Sequence, residues 1–184
     1  MDAIRMGIYD VLLLVPKVFS DERGFFYEAF NQRAFNDIIG KEQTFVQDNH
    51  SKSRKNVLRG LHYQVKKAQG KLVRVIAGTI YDVAVDLRKG SSTLGEHVAV
   101  TLSSENKHML WIPPRFAHGF LVLSDYAEVL YKATDYYAPK FERCIVWNDL
   151  DLAICWPLHG VPPTLSDKDR QGESFANTES QETN

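Results

Sequence analysis

NVLRGLHYQ, residues Asn56–Gln64, is typical of a β-strand with one buried face, because apolar and polar residues share a short run. The same run holds Arg59 and His62, with Gly60 between them. Side chains alternate along a regular strand, so Arg59 and His62 would point to opposite faces of the sheet. A glycine inside a strand often marks a bulge that redirects its neighbours. We therefore predict a distortion near Gly60 that places Arg59 and His62 in one cavity.

Short apolar runs recur on both sides of this strand and are separated by Gly, Pro, Asn and Asp. Examples are VLLLV, KLVRVIAG, TIYDVAVDL, HVAVTL and GFLVLS, several of which alternate with a period of two residues. In the first half only NQRAFNDIIG resembles a helix, which Asn31 could cap and Gly40 could end. Many strands and few short helices predict an all-β sandwich or barrel.

The length of 184 residues falls within the usual size of one domain. The sequence contains no internal repeat and no linker, so we assign residues 1–184 to a single domain. From Gln171 the chain becomes polar (QGESFANTESQETN), which predicts a flexible tail over residues 171–184.

Composition argues against several classes of partner. The 22 basic and 23 acidic residues give a formal net charge of -1, so no uniform field indicates nucleic acid or an anionic membrane, although a local cationic pocket remains possible. Asp2 lies where a secretory signal would be basic, and no run approaches the ~20 apolar residues of a membrane span. Cys144 and Cys155 supply neither a disulfide framework nor a zinc cluster. We therefore expect a cytoplasmic protein.

Several polar residues are open to two interpretations. Taken alone, His62 is more typical of a hydrogen-bonded core histidine than of a catalyst. Gln47 and Asn49 share one strand face, which could line a cavity or face solvent. Tyr131 shares a face with two apolar residues and should point inward, where it could donate a proton if a histidine lay opposite. His118 precedes a strand directly, at a position where barrel pockets open.

Two further patterns bear on the same site. Metal-binding barrels of the cupin kind carry two histidines one residue apart, whereas LHYQ has Gln64 in place of the second, so we predict no metal. The late segment LSDKD, which contains Asp169, is typical of a solvated charge cluster. Its carboxylate could orient His62 only if the fold closes the long gap between the two residues.

The motifs FSDERGFFYE, QDN, LRGLHYQ, QGKLVR, DVAVDLR, PPRFAHGF, LYK and LSDKD occur in the order found in dTDP-4-dehydrorhamnose 3,5-epimerases. The chain resembles this family from about Phe19 to Asp169, and RGLHYQ with FAHGF and SDKD is the specific combination. The resemblance implies a jelly-roll (cupin-like) fold, a homodimer, and catalysis without a metal or another cofactor.

The implied reaction, a step of dTDP-L-rhamnose biosynthesis, inverts C3 and C5 of dTDP-4-dehydro-6-deoxy-D-glucose to give dTDP-4-dehydro-L-rhamnose. Both carbons flank the C4 ketone, so loss of either proton gives an enolate. The resemblance makes His62 the base and Asp169 its orienting partner. It places Lys71 beside the oxyanion and makes Tyr131 the acid on the opposite face of the sugar.

The resemblance also implies a set of residues that bind the nucleotide sugar. Arg59 suits diphosphate because its guanidinium carries forked donors, and Tyr137 matches an aromatic residue that stacks on thymine. N-terminal residues of this family can reach the neighbouring subunit's pocket, which would explain why some members lie far from His62 in sequence. The full set is Phe19, Arg23, Glu28, Gln47, Asn49, Arg59, His118, Tyr137, Glu142 and Lys168.

Three competing functions remain open at this point. One is an enzyme of the same fold that inverts only C3, or a ketoisomerase of a related nucleotide sugar; Tyr131 favours the double epimerase. A second is a metal-dependent cupin oxygenase. The third is a non-catalytic module that binds nucleotide sugars, in which His62 would have no reaction to serve.

Overall fold

The computed structural model describes residues 1–178, which form two antiparallel sheets, a short hairpin and two short helices. The strands are β1 (Asp2–Arg5), β2 (Leu12–Val15), β3 (Phe19–Asp21), β4 (Gly24–Phe26), β5 (Gln47–Arg54), β6 (Leu58–Gln64), β7 (Lys71–Ala77), β8 (Thr79–Asp86), β9 (His97–Ser103), β10 (Met109–Ile112), β11 (Phe116–Val122), β12 (Tyr126–Ala133) and β13 (Glu142–Cys144). The helices are α1 (Gln32–Ile39) and α2 (Asp167–Arg170), with 3-10 turns at Pro139–Phe141 and Phe175–Asn177.

The two large sheets pack face to face. The six-stranded sheet has the order β1-β2-β10-β7-β12-β5, and the five-stranded sheet has the order β13-β6-β11-β8-β9. Val73 and Val129 of the first sheet share one buried cluster with Ile80 and Phe120 of the second. Each sheet therefore buries one apolar face against the other, which confirms the all-β, jelly-roll (cupin-like) sandwich. The assignment of residues 1–184 to a single domain stays a prediction.

Helix α1 has the ends predicted from the sequence. The Asn31 side chain accepts a hydrogen bond from Ala34 N (3.1 Å), and Gly40 closes the helix with a φ of 70° and a bond from its N–H to Asn36 O. Phe35 is buried against Trp111 and anchors the helix to the six-stranded sheet. Among residues 1–178, no helix is long and apolar enough to cross a bilayer.

The distortion predicted near Gly60 is a bulge in β6. Along the β6–β11 pair, His62 lies opposite His118, whereas Arg59 lies opposite Phe120. From Arg59 to His62 the chain advances three residues on β6, whereas the facing stretch from His118 to Phe120 advances only two on β11. Strand β6 therefore contains one extra residue. Since a one-residue insertion reverses the facing of side chains beyond it, Arg59 and His62 come to the same side of the sheet.

Glycine is required on both strands at the bulge. Gly60 has a φ of 116°, in the region that favours glycine, and the Gly60–Leu61 peptide bond is cis. A Cβ atom on Gly60 would lie 2.5 Å from Gly119 Cα of the facing strand, and one on Gly119 would lie 2.7 Å from Arg59 O. The two backbones approach so closely that neither position has room for a side chain.

The boundary predicted at Gln171 for a flexible tail is too early. Glu173 forms a bridge with Ile145, its N–H donating to Cys144 O (2.9 Å), and Phe175 packs against a buried apolar cluster. Polar composition predicted solvation, but these few contacts attach residues up to 178 to the five-stranded sheet. Residues 179–184 of the predicted tail lie outside the described residues.

Candidate active site

A cavity of about 160 Å³ opens between the two sheets. The five-stranded sheet supplies His62 and His118, and the six-stranded sheet supplies Lys71 and Tyr131. Imidazoles on one wall therefore face an amine and a phenol on the other. Seven residues to which the sequence analysis gave a catalytic or binding role line this cavity: Arg59, His62, Lys71, His118, Tyr131, Tyr137 and Glu142.

Arg59 and His62 share the cavity, as predicted from the opening stretch of sequence. Arg59 is exposed at the cavity, and its Nε donates to Ser53 Oγ (2.9 Å). That bond uses one of the five guanidinium N–H groups and leaves the terminal nitrogens for an anion. The sequence analysis did not name Ser53, whose only signal was its place in an alternating strand.

His62 forms a close pair with a carboxylate 107 residues away. His62 Nε2 lies 2.6 Å from Oδ1 of Asp169, which is 3% exposed. Ser166 Oγ donates to Asp169 Oδ2 (2.6 Å), and Gly60 N donates to Oδ1 (3.2 Å). The fold thus closes the gap that the sequence left open, and one carboxylate holds both the bulge and the imidazole.

The surroundings keep Asp169 ionised. Burial by itself would raise the pKa of Asp169, but hydrogen bonds from His62 and Ser166 outweigh it and lower the pKa to about 2. With Nε2 of His62 donating to this anion, Nδ1 keeps the lone pair that can take a proton. The pair therefore has the form of a general base and its orienting carboxylate.

A second histidine–carboxylate pair lies deeper in the same sheet. His118 Nε2 is 2.7 Å from Asp82 Oδ1, and both side chains are buried. Burial lowers the pKa of His118, although Asp82 acts in the opposite direction. Asp82 Oδ2 has no hydrogen-bond partner within the described part of the chain. The sequence analysis missed Asp82, whose signal was an aspartate inside the apolar run of β8.

Lys71 is a buried cation beside these groups. Burial lowers the pKa of Lys71 to about 8, while the negative charges of Asp82 and Glu142 oppose the shift. The amine therefore changes charge near neutral pH rather than far above it. An ammonium in this desolvated position can stabilise an oxyanion more strongly than one in water.

Tyr131 points inward, as its strand position predicted. Its neighbours Val129 and Ala133 on the same face are fully buried, and its ring centroid lies 6.5 Å from that of His118. Burial raises the pKa of Tyr131, and the charge of Glu142 acts in the same direction. The phenol is therefore protonated at neutral pH and available as a proton donor.

Tyr137 and Glu142 line the cavity, whereas Gln47, Asn49 and Lys168, which were also predicted to bind ligand, are not part of its lining within residues 1–178. Tyr137 OH donates to Glu142 Oε2 (2.6 Å), and Glu142 also forms an ion pair with Lys168. On β5, Gln47 Nε2 donates to Asn49 Oδ1 (2.9 Å). Asn49 Nδ2 is buried without a hydrogen-bond partner among residues 1–178.

Three predicted binding residues lie elsewhere. Phe19 and Arg23 line a separate surface groove on the β3–β4 hairpin, where Arg23 pairs with Asp21. Glu28 accepts a hydrogen bond from Asn31 at the start of α1. As far as residues 1–178 define it, the cavity is lined by none of the three.

Three neighbouring side chains have atoms that could bind a metal ion, but their other interactions do not favour it. Ligand atoms of His62, Cys144 and Asp169 lie within 4.8 Å of one another. Asp169 already accepts three hydrogen bonds, and burial raises the pKa of the Cys144 thiol to about 12. A protonated thiol is a poor ligand, because metals bind the thiolate. These donors fit a proton-transfer site better than a metal site.

Comparison with known proteins agrees with this geometry. A family model described as dTDP-4-dehydrorhamnose 3,5-epimerase matches residues 5–177. The dTDP-4-dehydrorhamnose 3,5-epimerase of Pseudomonas aeruginosa is 60% identical over 97% of this chain and 98% of its own length. A crystal structure of dTDP-6-deoxy-D-glucose-3,5-epimerase from Legionella pneumophila, in complex with dTDP-4-keto-L-rhamnose, has a TM-score of 0.96 and 47% identity, covering 100% of this chain and 98% of that one.

A relative named for a narrower activity shares the fold. The 3'-monoepimerase from Streptomyces bikiniensis, in complex with dTDP-quinovose, has a TM-score of 0.87 and 31% identity, covering 93% of this chain and 86% of that one. The fold alone therefore does not distinguish one inversion from two. The side chains of the site decide between these activities. The sequence identity, which is 60% to the 3,5-epimerase and 31% to the 3'-monoepimerase, favours two inversions.

Proposed function

The chain belongs to the dTDP-4-dehydrorhamnose 3,5-epimerase family and is an isomerase of that kind, and we propose that His62 and Tyr131 carry out its inversions from opposite walls of the cavity. The enzyme converts dTDP-4-dehydro-6-deoxy-D-glucose to dTDP-4-dehydro-L-rhamnose by inverting C3 and C5. The observation that carries the mechanism is the position of the His62–Asp169 pair, across one cavity from Tyr131 and Lys71.

Proton removal is assigned to His62. The hydrogens at C3 and C5 are acidic because the C4 ketone can accept the electrons of the broken C–H bond. Neutral His62 takes the proton on Nδ1, since Nε2 donates to Asp169. The anionic carboxylate then stabilises the imidazolium, and the electron pair passes to the ketone oxygen.

The enolate oxygen is assigned to Lys71. Below pH about 8 the buried amine is an ammonium, which stabilises the new negative charge without drawing on bulk water. Return of the proton is assigned to Tyr131, whose raised pKa keeps it a donor. Because base and acid lie on different sheets, the new C–H bond forms on the face opposite the one that lost its proton.

The nucleotide part of the substrate is assigned to the cavity mouth. Arg59, with Nε held by Ser53, presents its remaining donors to the diphosphate. Tyr137 is 51% exposed and offers its ring to the thymine. The remaining members of the proposed binding set are Gln47, Asn49, His118, Glu142 and Lys168.

A homodimer is proposed because part of the predicted site lies on an exposed hairpin. Phe19, Phe25 and Phe26 are 54%, 62% and 72% exposed, which is unusual for aromatic residues on a strand pair. Docking of this hairpin on a second copy would cover them and carry Phe19, Arg23 and Glu28 to the neighbouring cavity. The dimer would then contain two composite sites.

Mixing two inactive variants tests the composite site. If Arg23 acts in the neighbouring cavity, Arg23→Ala and His62→Ala subunits form mixed dimers with one intact site each. Re-equilibrated at equal amounts, they should regain about a quarter of the wild-type rate, because half of the dimers are mixed and one of their two sites is complete. A mixture that remains inactive, although co-purification of differently tagged subunits shows mixed dimers, would contradict action across subunits.

The reaction is proposed to need no metal or other cofactor and to take place in the cytoplasm. The absence of a cofactor requirement is supported by the cavity lining, in which His62, Tyr131 and Lys71 can act as base, acid and oxyanion-stabilising cation. Chelator treatment followed by metal analysis tests it. Unchanged turnover by metal-depleted enzyme is expected, and loss of activity restored by one stoichiometric metal would overturn it.

Exchange with heavy water tests the proposed chemistry directly. NMR of the substrate with the enzyme should show deuterium entering at both C3 and C5, with inversion at each carbon. Label at C3 alone would indicate the single-inversion activity. Binding of substrate without exchange at either carbon would indicate a binding module rather than an enzyme.

A further inference from the structure

The segment of residues 134–138, the rim loop, connects β12 to the 3-10 turn at Pro139–Phe141. It carries Tyr137 at the mouth of the cavity. A loop without sheet hydrogen bonds of its own would let this ring occupy many orientations, and ordering it during binding would lower affinity. The position of Tyr137 therefore depends on what holds the backbone of the rim loop.

Two glutamines from different sheets hold consecutive amides of the rim loop. Tyr137 N donates to Oε1 of Gln47 on β5 (2.9 Å), and Ala138 N donates to Oε1 of Gln64 on β6 (2.8 Å). Gln69 Nε2 also donates to Asp135 O (2.8 Å). Side chains thus hold the loop near both of its ends, in addition to the backbone bond from Thr134 N to Gly70 O (3.0 Å) where the loop begins.

Gln64 is the most deeply placed of these ties. It is 5% exposed, and its Nε2 donates to Lys67 O (2.7 Å) and, at 3.4 Å, to Tyr136 O. The orientation of its amide follows from chemistry, because a backbone N–H can only donate and a carbonyl can only accept. One side chain thus meets the backbone on both sides of Tyr137.

We propose that Gln64 is a positioning residue that fixes the rim loop and, through it, the Tyr137 ring for the nucleotide base. Gln64 follows His62 by two residues on β6 and lies opposite Glu142 on β13. The strand that carries the base therefore also sets the nucleotide end of the site. This inference rests on the proposed function at one point, the assignment of Tyr137 to thymine.

Gln64→Leu is the informative substitution. It removes the acceptor for Ala138 N and the donor for Lys67 O, and it leaves a shorter, apolar side chain at this buried position. We expect KM for the dTDP-sugar to rise about tenfold while kcat stays within about threefold, because the lost contacts order the ligand rather than the reacting atoms. Gln64→Glu keeps an oxygen that accepts from Ala138 N but places a second oxygen against Lys67 O, so we expect an intermediate rise in KM. This variant replaces Gln64→Leu in the test if the leucine variant does not fold.

Gln32→Leu is the matched control. Gln32 Nε2 donates to Asn36 Oδ1 and to Gln43 O, so this glutamine also ties a loop, but near α1 and outside the cavity lining. Its loss should lower thermal stability and leave KM within about twofold of wild type, since it touches no group assigned to ligand binding. A KM rise in both variants would mean that general loosening, not Gln64, affects binding, and would overturn the proposal.

Hydrogen exchange tests the tie without relying on the proposed function. In ligand-free Gln64→Leu, the amides of Tyr137 and Ala138 should exchange at least about fivefold faster, while β11 amides are unchanged.

A double-mutant cycle tests whether Gln64 acts through Tyr137. In such a cycle, Tyr137→Ala should largely remove the effect of Gln64→Leu on KM.

Three results would overturn the proposal: unchanged loop exchange, faster exchange with unchanged KM, or a fall in kcat with KM unaltered. If the wild-type protein failed to bind or epimerise the dTDP-sugar, the proposed function would fail instead. The exchange measurement would still report on the tie.

Discussion

His62 and His118 of the five-stranded sheet each pair with an aspartate through nearly the same hydrogen bond, but their surroundings differ. The nitrogen–oxygen distance is 2.6 Å in His62–Asp169 and 2.7 Å in His118–Asp82. The His62 side chain is 28% exposed, whereas that of His118 is 7% exposed. The length of the hydrogen bond to aspartate therefore does not show which imidazole is the better candidate for the base.

The environments separate their roles. Asp169 receives additional hydrogen bonds from Ser166 and Gly60, so it remains an anion that can stabilise an imidazolium. Burial lowers the pKa of His118 and so keeps the imidazole neutral, which suits a hydrogen-bonding wall better than a proton carrier. Access to solvent and the satisfaction of the carboxylate, more than the length of the shared bond, support the proposed assignment of His62 as the base.

The largest expected effect comes from removing the more exposed imidazole. His62→Ala should lower kcat by about 10³-fold or more, because general base catalysis is lost, while dTDP binding measured by calorimetry changes little. A variant that retains most of its turnover would mean that the buried pair, or another group, removes the proton.

Tyr131→Phe should separate exchange from inversion. His62 can still remove a proton and return it to the same face, so deuterium enters the sugar with retained configuration while product formation falls by about 10³-fold. NMR in heavy water follows both quantities together. Loss of exchange along with inversion would place Tyr131 in the removal step and reverse the assignment of the two walls.

The two carboxylates provide a matched pair of substitutions. Asp169→Asn should lower kcat by about 10²-fold, since it removes the anion that stabilises the His62 imidazolium. Asp82→Asn should cost only about tenfold, because it alters the wall that His118 provides rather than the base. Equal losses, or the reverse order, would break the contrast between the pairs.

The alkaline limb of the pH profile should come from Lys71. In the ligand-free enzyme its pKa is lowered to about 8, so raising the pH through 8 removes the ammonium assigned to the enolate, and kcat/KM should fall about tenfold per pH unit above it. Lys71→Arg, although slower, should lose this limb because a guanidinium stays charged. A limb that persists in Lys71→Arg would assign it to another group, such as Tyr131.

The smallest effect is on acid stability. The folded state lowers the pKa of Asp169 from 3.8 to about 2, so this carboxylate contributes stability that is fully present above pH 3.8. About 2 kcal/mol should be lost as the pH falls through about 2. Urea unfolding at several pH values measures it, and Asp169→Asn should show a correspondingly flatter dependence. An identical dependence would mean that the pair is not ionised in the folded state.

Local patterns predicted much of the fold and part of the site. Alternation of apolar residues predicted the strands and the inward Tyr131, the residues at either end predicted α1, and Gly60 predicted the bulge. These features depend on the backbone of a few adjacent residues, so the information lies within the segment itself. The family resemblance supplied Lys71, whose lowered pKa no local pattern indicated.

Other features depended on which segments the fold brings together. LSDKD had the composition of a solvated loop, yet its Asp169 is buried against His62. The sequence could not assign these roles to Asp82 and Gln64, because a polar residue in an apolar strand acquires its role from a partner elsewhere in the fold. Such partners are chosen by strand order and packing, which periodicity does not encode.

The sequence by itself determined that this protein is a β-sandwich whose sixth strand bulges at a glycine and turns an arginine and a histidine to one side. Only the tertiary structure separates the surroundings of the two imidazoles, since these depend on burial and on a carboxylate 107 residues from His62 that accepts a further bond from Ser166. The physical reason is the different distance along the chain over which the two kinds of interaction act. Backbone conformation follows from neighbouring residues, whereas desolvation and charge pairing depend on every chain segment that the fold places around a group.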